Sequence, residues 1–264
     1  MSNNYFQFKQ FLVNQENVSM RVNTDGVLLG AWATLPSNAT GILDVGTGTG
    51  VIALMTAQRL GFQQPHCQIV AIDVDNASCK QAQENFQQSK WSESLVAKHI
   101  SLQDFNTEKL FDLIISNPPY FNNALKNPSE AKRTARHTDT LSYQDLTDAA
   151  SKLLKPNGRL SVIIPFDEYP TMQSAIIATN KLRLSRLCKV FTLRQDPAPK
   201  RLLLEFTKEQ RNSRVNPNKE FVTGGTAGTQ TNPAVQEEAL CIMENPSTFT
   251  SAYKSLTKDF YLKF

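Results

Sequence analysis

A glycine-rich turn between two apolar segments constrains the fold of this chain more than any other feature. Apart from Asp44, residues 41–45 are apolar enough for a short strand, and the turn Gly46-Thr47-Gly48-Thr49-Gly50 leads into residues 51–58, which indicate a buried helix. In such a unit the glycines let the backbone approach a ligand, and the helix N-terminus offers N–H groups. The dinucleotide fingerprint is missed by one place, because its third glycine would stand where the chain has Val51. The turn therefore indicates a ligand-binding α/β unit of another kind.

Carboxylates follow the next two predicted strands. Residues 69–72 form the second apolar run, and Asp73 comes directly after it. A carboxylate at this strand end can accept hydrogen bonds from both hydroxyls of a ribose. Capping the following helix is the alternative role, and it suits Asp75 better. Asp104 follows the third run, residues 97–102. It could accept a hydrogen bond from an exocyclic adenine amine while Phe105 packs near the ring. An ordinary solvent-facing aspartate is the alternative.

The motif Asn117-Pro118-Pro119-Tyr120 follows a fourth apolar run, residues 111–115. Its prolines fix their own φ angles and bias Asn117 and Pro118 toward extended geometry, so the Asn117 amide and the Pro118 carbonyl would point outward as a pair. Tyr120 adds a flat face beside them. The planar amino group of a nucleobase needs two acceptors and a stacking surface, and this motif supplies such a set. An ordinary proline-rich strand exit is the alternative interpretation.

Taken in order, the glycine turn, the two acids and the Asn-Pro-Pro-Tyr motif resemble the class I S-adenosylmethionine-dependent methyltransferases. Within that class they resemble the enzymes that methylate amino or amide nitrogens. Three further segments, residues 24–32, 135–139 and 256–262, resemble the bacterial tRNA1(Val) adenine-37 N6-methyltransferases. The resemblance then spans nearly the whole chain, except residues 212–236, which are longer and more polar than the family pattern.

This resemblance implies transfer of a methyl group from S-adenosylmethionine to the N6 amine of an adenosine in the tRNA anticodon loop. The implied catalytic residues are Asn117, Pro118 and Tyr120. The implied cofactor-binding residues are Asp44, Gly46, Gly48, Gly50, Asp73, Asp104, Phe105, Asn117, and the pair Thr24 and Asp25, for which a plain helix start is the alternative. The implied substrate-binding residues are Tyr120, Phe121, Lys132, Arg133, Arg136 and His137.

Alternating strands and helices predict an α/β fold with a doubly wound, mostly parallel seven-stranded sheet of the Rossmann-like methyltransferase type. The final strand, residues 201–207, is expected to be antiparallel, as the resemblance implies. A small N-terminal hairpin is expected from the alternation at residues 6–8 and 18–22. We expect three parts: 1–35 as the hairpin and a cofactor-side extension, 36–210 as the catalytic domain, and 211–264 as a flexible loop plus a C-terminal extension packed on that domain.

The charge distribution bears on the partner. The net charge of the 264 residues is only +4, yet residues 181–214 hold ten basic and three acidic residues. A second basic cluster directly follows the Asn-Pro-Pro-Tyr motif and comprises Lys126, Lys132, Arg133, Arg136 and His137. Both clusters suit phosphate neutralisation, and a solvated protein face is the alternative.

Features that the sequence lacks bear on the expected localisation and binding partners. The sequence has no membrane-spanning run, no signal peptide and no Cys-x-x-Cys spacing, so we expect a cytoplasmic protein with tRNA as partner, no metal and no membrane contact. A monomer is the default expectation.

Three rival functions stay open from the sequence. A glutamine methyltransferase of peptide release factors also uses the Asn-Pro-Pro-Tyr motif, although that class usually carries a helical domain before the glycine turn. A ribosomal-RNA base methyltransferase shares the same motifs. A non-catalytic RNA-binding module is the third, and the intact motif argues against it, because a pure binder does not need that pair of acceptors.

Overall fold

The structure of the chain is a computed structural model that describes residues 3–16, 18, 20–61, 64, 66–119, 141–209 and 234–264. Several expectations fall outside these residues. They are the roles of Tyr120, Phe121, Lys132, Arg133, Arg136 and His137, and the loop predicted for most of residues 211–236.

In the described part of the chain nine strands form the main sheet, two more than predicted. In chain order they are β3 Gly41–Val45, β4 Gln68–Asp73, β5 Leu95–His99, β6 Phe111–Ser116, β7 Leu154–Pro165, β8 Leu182–Leu193, β9 Arg201–Lys208, β10 Gln236–Asn245 and β11 Thr248–Phe249. Their order across the sheet is β11-β10-β8-β9-β7-β6-β3-β4-β5. The extra pair, β10 and β11, comes from the segment that the sequence indicated as an extension, because β10 adds to the sheet by pairing in parallel with β8.

The direction of the strands confirms the predicted mixed sheet. β3 pairs in parallel with β4 and β6, and β6 pairs in parallel with β7. β9 lies between β7 and β8 and is antiparallel to both, as expected for that strand. The division into domains at residues 35 and 210 stays a prediction.

The N-terminal hairpin is present, but its second arm differs from the prediction. β1 Tyr5–Gln7 pairs with β2 Leu12–Asn14, and the turn closes through the Phe8 amide, which donates to the Phe11 carbonyl at 2.9 Å. Burial of Phe8 and Phe11 in the core fixes this tight turn. Residues 20–22, predicted as part of the second arm, therefore lie outside the hairpin and connect to α1.

Helices cover both faces of the sheet. They are α1 Thr24–Trp32, α2 Val51–Leu60, α3 Asn76–Gln87, α4 Tyr143–Leu153, α5 Tyr169–Thr179 and α6 Ser251–Thr257. The residues of α1, α2, α3 and the hairpin share one apolar cluster, whereas α4 and α5 contribute to a second cluster on the opposite face. A capping box opens α4, with Ser142 and Asp145 as its two members. None of the helices in the described part of the chain is long and apolar enough to cross a membrane.

Residues 155–158 form a bulge inside β7. Leu154 is opposite Phe111 and Arg159 is opposite Leu113, so four residues of β7 face a single residue of β6. Asn157 takes a positive φ of 63°, which allows the local reversal. The Lys155 ammonium lies 2.8 Å from the Asp112 carboxylate, and this ion pair fastens the bulge to β6.

Candidate active site

A cavity of about 340 Å³ opens at the carboxyl ends of β3, β4 and β6. The chain leaves β3 toward β4 and β5 on one side, and later returns to β6 and β7 on the other side. Crevices at this reversal of strand order are where open α/β sheets bind ligands. Its walls include the glycine turn, the end of β4, the start of α1 and the first part of the Asn-Pro-Pro-Tyr motif.

The glycine turn is held in place by backbone hydrogen bonds to β4. The amides of Gly46 and Thr47 both donate to the Ile72 carbonyl, at 2.9 and 3.1 Å. Gly46 and Gly48 line the cavity, with φ angles of 71° and 55°.

Gly50 has a different role from the one implied. It is outside the cavity lining, and a Cβ atom at this position would lie 2.5 Å from the Phe86 ring of α3. Gly50 therefore leaves room for the Phe86 ring beside the N-terminus of α2.

Asp73 lines the cavity at the carboxyl end of β4, where the sequence predicted it. One carboxylate oxygen accepts from the Gly48 amide at 2.8 Å, and the other accepts from the Asp75 amide at 2.9 Å. These two amides fix the orientation of the carboxylate. Burial raises the pKa of Asp73 above the ordinary value for an aspartate. Capping of α3 falls to Asp75, which accepts from the amides of Ala77 and Ser78.

Asp44 is fully buried and is outside the cavity lining, so the implied direct contact with a cofactor is not supported. Its carboxylate accepts a hydrogen bond of 2.7 Å from the Thr47 hydroxyl, and Thr47 is a cavity residue. Burial raises the pKa of Asp44 to about 7. Asp44 thus acts on the cavity through the turn that it holds.

The third strand end differs from the prediction. β5 ends at His99, and residues 101–105 form a turn in which the Asp104 amide and carboxylate both bond to the Ser101 hydroxyl. Asp104 is consequently exposed and outside the lining, and the Phe105 ring packs 6.3 Å from that of Phe111 in the core. Leu102 and Gln103 occupy the corresponding wall of the cavity, together with Ile100.

The start of α1 faces two different cavities. Asn23 caps the helix by accepting from the Gly26 amide at 2.9 Å, and these two residues line the 340 Å³ cavity. Thr24 and Asp25 lie on the other side of the first turn, in a second cavity, where the Asp25 carboxylate pairs with Arg201 at 2.8 Å. Thr24 and Asp25 thus lie on a different face of the first turn from Asn23 and Gly26, because residues one turn apart share a helix face and their neighbours do not. Their role beside the cofactor stays a prediction.

The Asn-Pro-Pro-Tyr motif enters the cavity through Asn117 and Pro119. Asn117 is half-buried, while Pro118 is buried and outside the lining. The hydroxyl of Ser116 donates to the Val45 carbonyl at 2.8 Å, which ties the end of β6 to the end of β3. This bond holds Asn117 beside the glycine turn, in the lining of the same cavity.

Arg21 also lines the cavity, although the sequence did not mark it as a site residue. No motif marked it, and its only signal was a basic residue between the apolar Met20 and Val22, immediately before α1. With Arg21 the cavity holds a cation, the half-buried carboxylate of Asp73 and an apolar wall formed by Ile100 and Leu102. These groups fit the carboxylate, ribose and purine of S-adenosylmethionine, in that order.

Comparison with known proteins gives one consistent family. The family model of the Methyltransferase small domain matches residues 26–182. The tRNA1(Val) (adenine(37)-N6)-methyltransferase of Histophilus somni (strain 2336) is 38% identical over 261 residues, which are 98% of each chain. The protein of the same description from Photobacterium profundum is 40% identical over 263 residues, again 98% of each chain.

The fold has a solved counterpart. A crystal structure of a predicted O-methyltransferase from Agrobacterium tumefaciens superposes with a TM-score of 0.58 at 14% identity, covering 89% of this chain and 96% of that one. That likeness concerns the fold alone, whereas the full-length relatives define the family. The chain belongs to the tRNA1(Val) (adenine(37)-N6)-methyltransferase family.

Proposed function

We propose that this chain transfers the methyl group of S-adenosylmethionine to N6 of adenine 37 in tRNA1(Val), and that it does so in the cytoplasm. The observation that carries the proposal is the placement of Asp73 and Asn117 on the walls of one cavity. Full-length relatives at 38–40% identity are described by this same reaction. A release-factor or ribosomal-RNA substrate has no comparable support among these relatives.

Cofactor binding is assigned first to Asp73. Its carboxylate is fixed by two backbone amides, and it retains lone pairs for the hydroxyls of a ribose. Arg21 would pair with the carboxylate of the methionine moiety, as guanidinium groups do well. Ile100 and Leu102 would cover the adenine of the cofactor, and Gln103 lies beside them with polar atoms for its edge.

Amine positioning is assigned to Asn117 and Pro118. The lone pair of adenine N6 is delocalised into the ring, so the amine is a poor nucleophile. Two acceptors, the Asn117 side-chain oxygen and the Pro118 carbonyl, would bind the two N6 hydrogens and favour a pyramidal nitrogen with its lone pair directed at the methyl donor. Bound S-adenosylmethionine supplies an electrophilic methyl group on a sulfonium. Methyl transfer would form the bond from N6 to the methyl carbon as the carbon–sulfur bond breaks, leaving S-adenosylhomocysteine, and N6 would then lose one proton to solvent. The contribution of the protein is orientation and electrostatics, and it needs no general base before the transfer.

Substrate binding is assigned to the segment after Asn117. Tyr120 and Phe121 would stack on an adenine turned out of the RNA, a step that costs less in a single-stranded loop than in a duplex. Lys132, Arg133, Arg136 and His137 would neutralise phosphates near the cavity mouth.

The proposal is tested by incubating the purified protein with isotopically labelled S-adenosylmethionine and bulk bacterial tRNA. After digestion to nucleosides, we expect the label in N6-methyladenosine, identified by mass spectrometry. Ribosomal RNA and a purified release factor serve as competing substrates in parallel reactions. Label in either of these, with none in tRNA, would overturn the assigned substrate, and no transfer to any of them would overturn the assigned activity.

A further inference from the structure

A second cavity, of about 670 Å³, lies at the same edge of the sheet as the cofactor cavity. It lies where β8 and β10 end and β9 begins, and the N-terminus of α1 separates it from the first cavity. Asn23 lines both cavities, so they adjoin each other across the helix cap. A polymeric ligand that occupies one cavity can therefore extend into the other.

Aromatic rings line one side of this second cavity. Phe264 makes an edge contact of 5.7 Å with Tyr261, and it remains 45% exposed. Phe249 stacks on Tyr253 at 5.1 Å between ring centroids. Phe264 is the exposed ring of this set, Phe249 and Tyr261 are half-buried, and neighbouring rings hold all three in place. Aromatic rings at a surface are the usual platforms for unpaired nucleobases.

Cations line the other side. Lys200, Arg201 and Lys263 border the cavity, and Asp25 is the one acidic residue among its described lining residues. Asp25 is engaged by Arg201 at 2.8 Å. Among the described residues neither Lys200 nor Lys263 forms a side-chain ion pair, and the side chains that line the cavity carry a net positive charge. The backbone of Lys200 is fixed, since its amide donates to the Val190 carbonyl at 2.8 Å.

We propose that this aromatic-basic cavity, formed by Lys200, Arg201, Lys263, Phe249, Tyr261 and Phe264, binds an unpaired nucleotide of the RNA substrate close to the methylated adenosine. The base stacks on the aromatic side, and its phosphate faces the lysines. The inference rests on the proposed function, because it takes its ligand from the same RNA. An acidic peptide would satisfy the lysines but would leave the flat faces without a matching group, so the combination favours RNA.

The test measures the binding of an unmodified, full-length tRNA1(Val) transcript to the whole protein by fluorescence anisotropy, between 50 and 200 mM salt, without cofactor. Two variants report on the two sides of the cavity: Phe264→Ala, and Lys200→Ala combined with Lys263→Ala. Matched controls lie elsewhere on the surface. Ile177→Ala removes an exposed apolar side chain of α5 on the opposite face, and Lys80→Ala combined with Lys90→Ala removes two exposed charges near α3. Thermal unfolding and calorimetric titration with S-adenosylhomocysteine verify that each variant is folded.

For Phe264→Ala we expect at least a fivefold loss of tRNA affinity, which is the lower limit for losing one base stack. For the double lysine variant we expect a tenfold loss at low salt and a salt slope shallower by about one. Both controls should bind like the wild type, and all variants should keep their affinity for S-adenosylhomocysteine. Wild-type tRNA affinity and salt slope in both cavity variants would overturn the inference while leaving the methyl transfer intact. Failure of the wild type to bind or methylate tRNA would overturn the proposed function as well.

Discussion

At the residue scale, two backbone amides and one hydroxyl hold the two carboxylates at the 340 Å³ cavity. The amides of Gly48 and Asp75 orient the Asp73 carboxylate from two sides, and the Thr47 hydroxyl engages the buried Asp44. A carboxylate held in this way loses little freedom when it binds a ribose, which favours affinity. The two acids therefore have separate roles, one toward the ligand and one toward the turn.

Replacement of Asp73 by Ala should weaken cofactor binding by about 1–3 kcal/mol, the usual cost of losing hydrogen bonds to a charged group. Calorimetry with S-adenosylhomocysteine measures this directly. Because burial raises the pKa of Asp73, wild-type affinity should also decline on acidification at a higher pH than a solvated aspartate would cause. Asp104→Ala is the matched control, since Asp104 is exposed outside the cavity. Equal losses in the two variants would contradict the assignment.

Replacement of Asp44 by Asn should change how stability depends on pH. The Asp44 carboxyl has a pKa of about 7 in the folded protein and near 3.8 as its ordinary value. Between these values the unfolded chain is ionised while the folded chain keeps the proton, so this residue lowers stability as pH rises, by up to about 1.4 kcal/mol per pH unit. Urea unfolding from pH 4 to 8 should show a flatter profile for Asp44→Asn. Parallel profiles for the two proteins would rule this out.

At the element scale, the sequence predicted best where the signal was local. Apolar runs on either side of the glycine turn predicted β3, α2 and β4. Asp73 lies at the end of β4, where a strand-end carboxylate was expected. β10 was missed because its partner β8 is distant along the chain and its first residues, Gln236 to Glu238, are polar. The position of Asp104 was missed because β5 ends at His99 and a turn through Ser101 redirects the chain.

The contact between Gly50, just before α2, and Phe86 of α3 provides a prediction at this scale. Gly50→Ala combines a positive φ of 81° with a Cβ only 2.5 Å from the Phe86 ring. We expect it to lower the free energy of unfolding by roughly 2–4 kcal/mol, from backbone strain and a displaced ring. Gly46→Ala is the control, since it shares a positive φ of 71° but has open space for a Cβ. Urea denaturation should find Gly46→Ala clearly less destabilised, and equal destabilisation would mean that the contact with Phe86 is not limiting.

At the scale of the whole molecule, the two ends of the described chain meet on the face that carries α1 and α2. The Lys9 amide donates to the Phe260 carbonyl at 2.8 Å, and the Gln58 side chain donates to the Asp259 carbonyl at 2.8 Å. Phe260 is buried, with 2% of its surface exposed. The C-terminal segment therefore joins the hairpin to the main domain and forms a wall of the aromatic-basic cavity.

Replacement of Phe260 by Ala should lower the free energy of unfolding by about 3–5 kcal/mol, the range for emptying a buried aromatic site. Leu262→Ala, at an exposed position nearby, should change it by less than about 0.5 kcal/mol. Denaturant titration of both variants measures the difference. A Phe260→Ala protein as stable as the wild type would show that the C-terminal segment does not support the fold.

The proposed methyl transfer depends on Asn117 as the residue that orients the amine. The most direct measurement is single-turnover methylation of an unmodified tRNA1(Val) transcript by the wild type and by Asn117→Ala, at saturating S-adenosylmethionine, with the product mapped by mass spectrometry. We predict N6-methyladenosine at position 37 from the wild type, at least about a hundredfold slower transfer by Asn117→Ala, and nearly unchanged cofactor affinity. Equal rates in the two proteins, or a methyl group on any other atom or position, would contradict it.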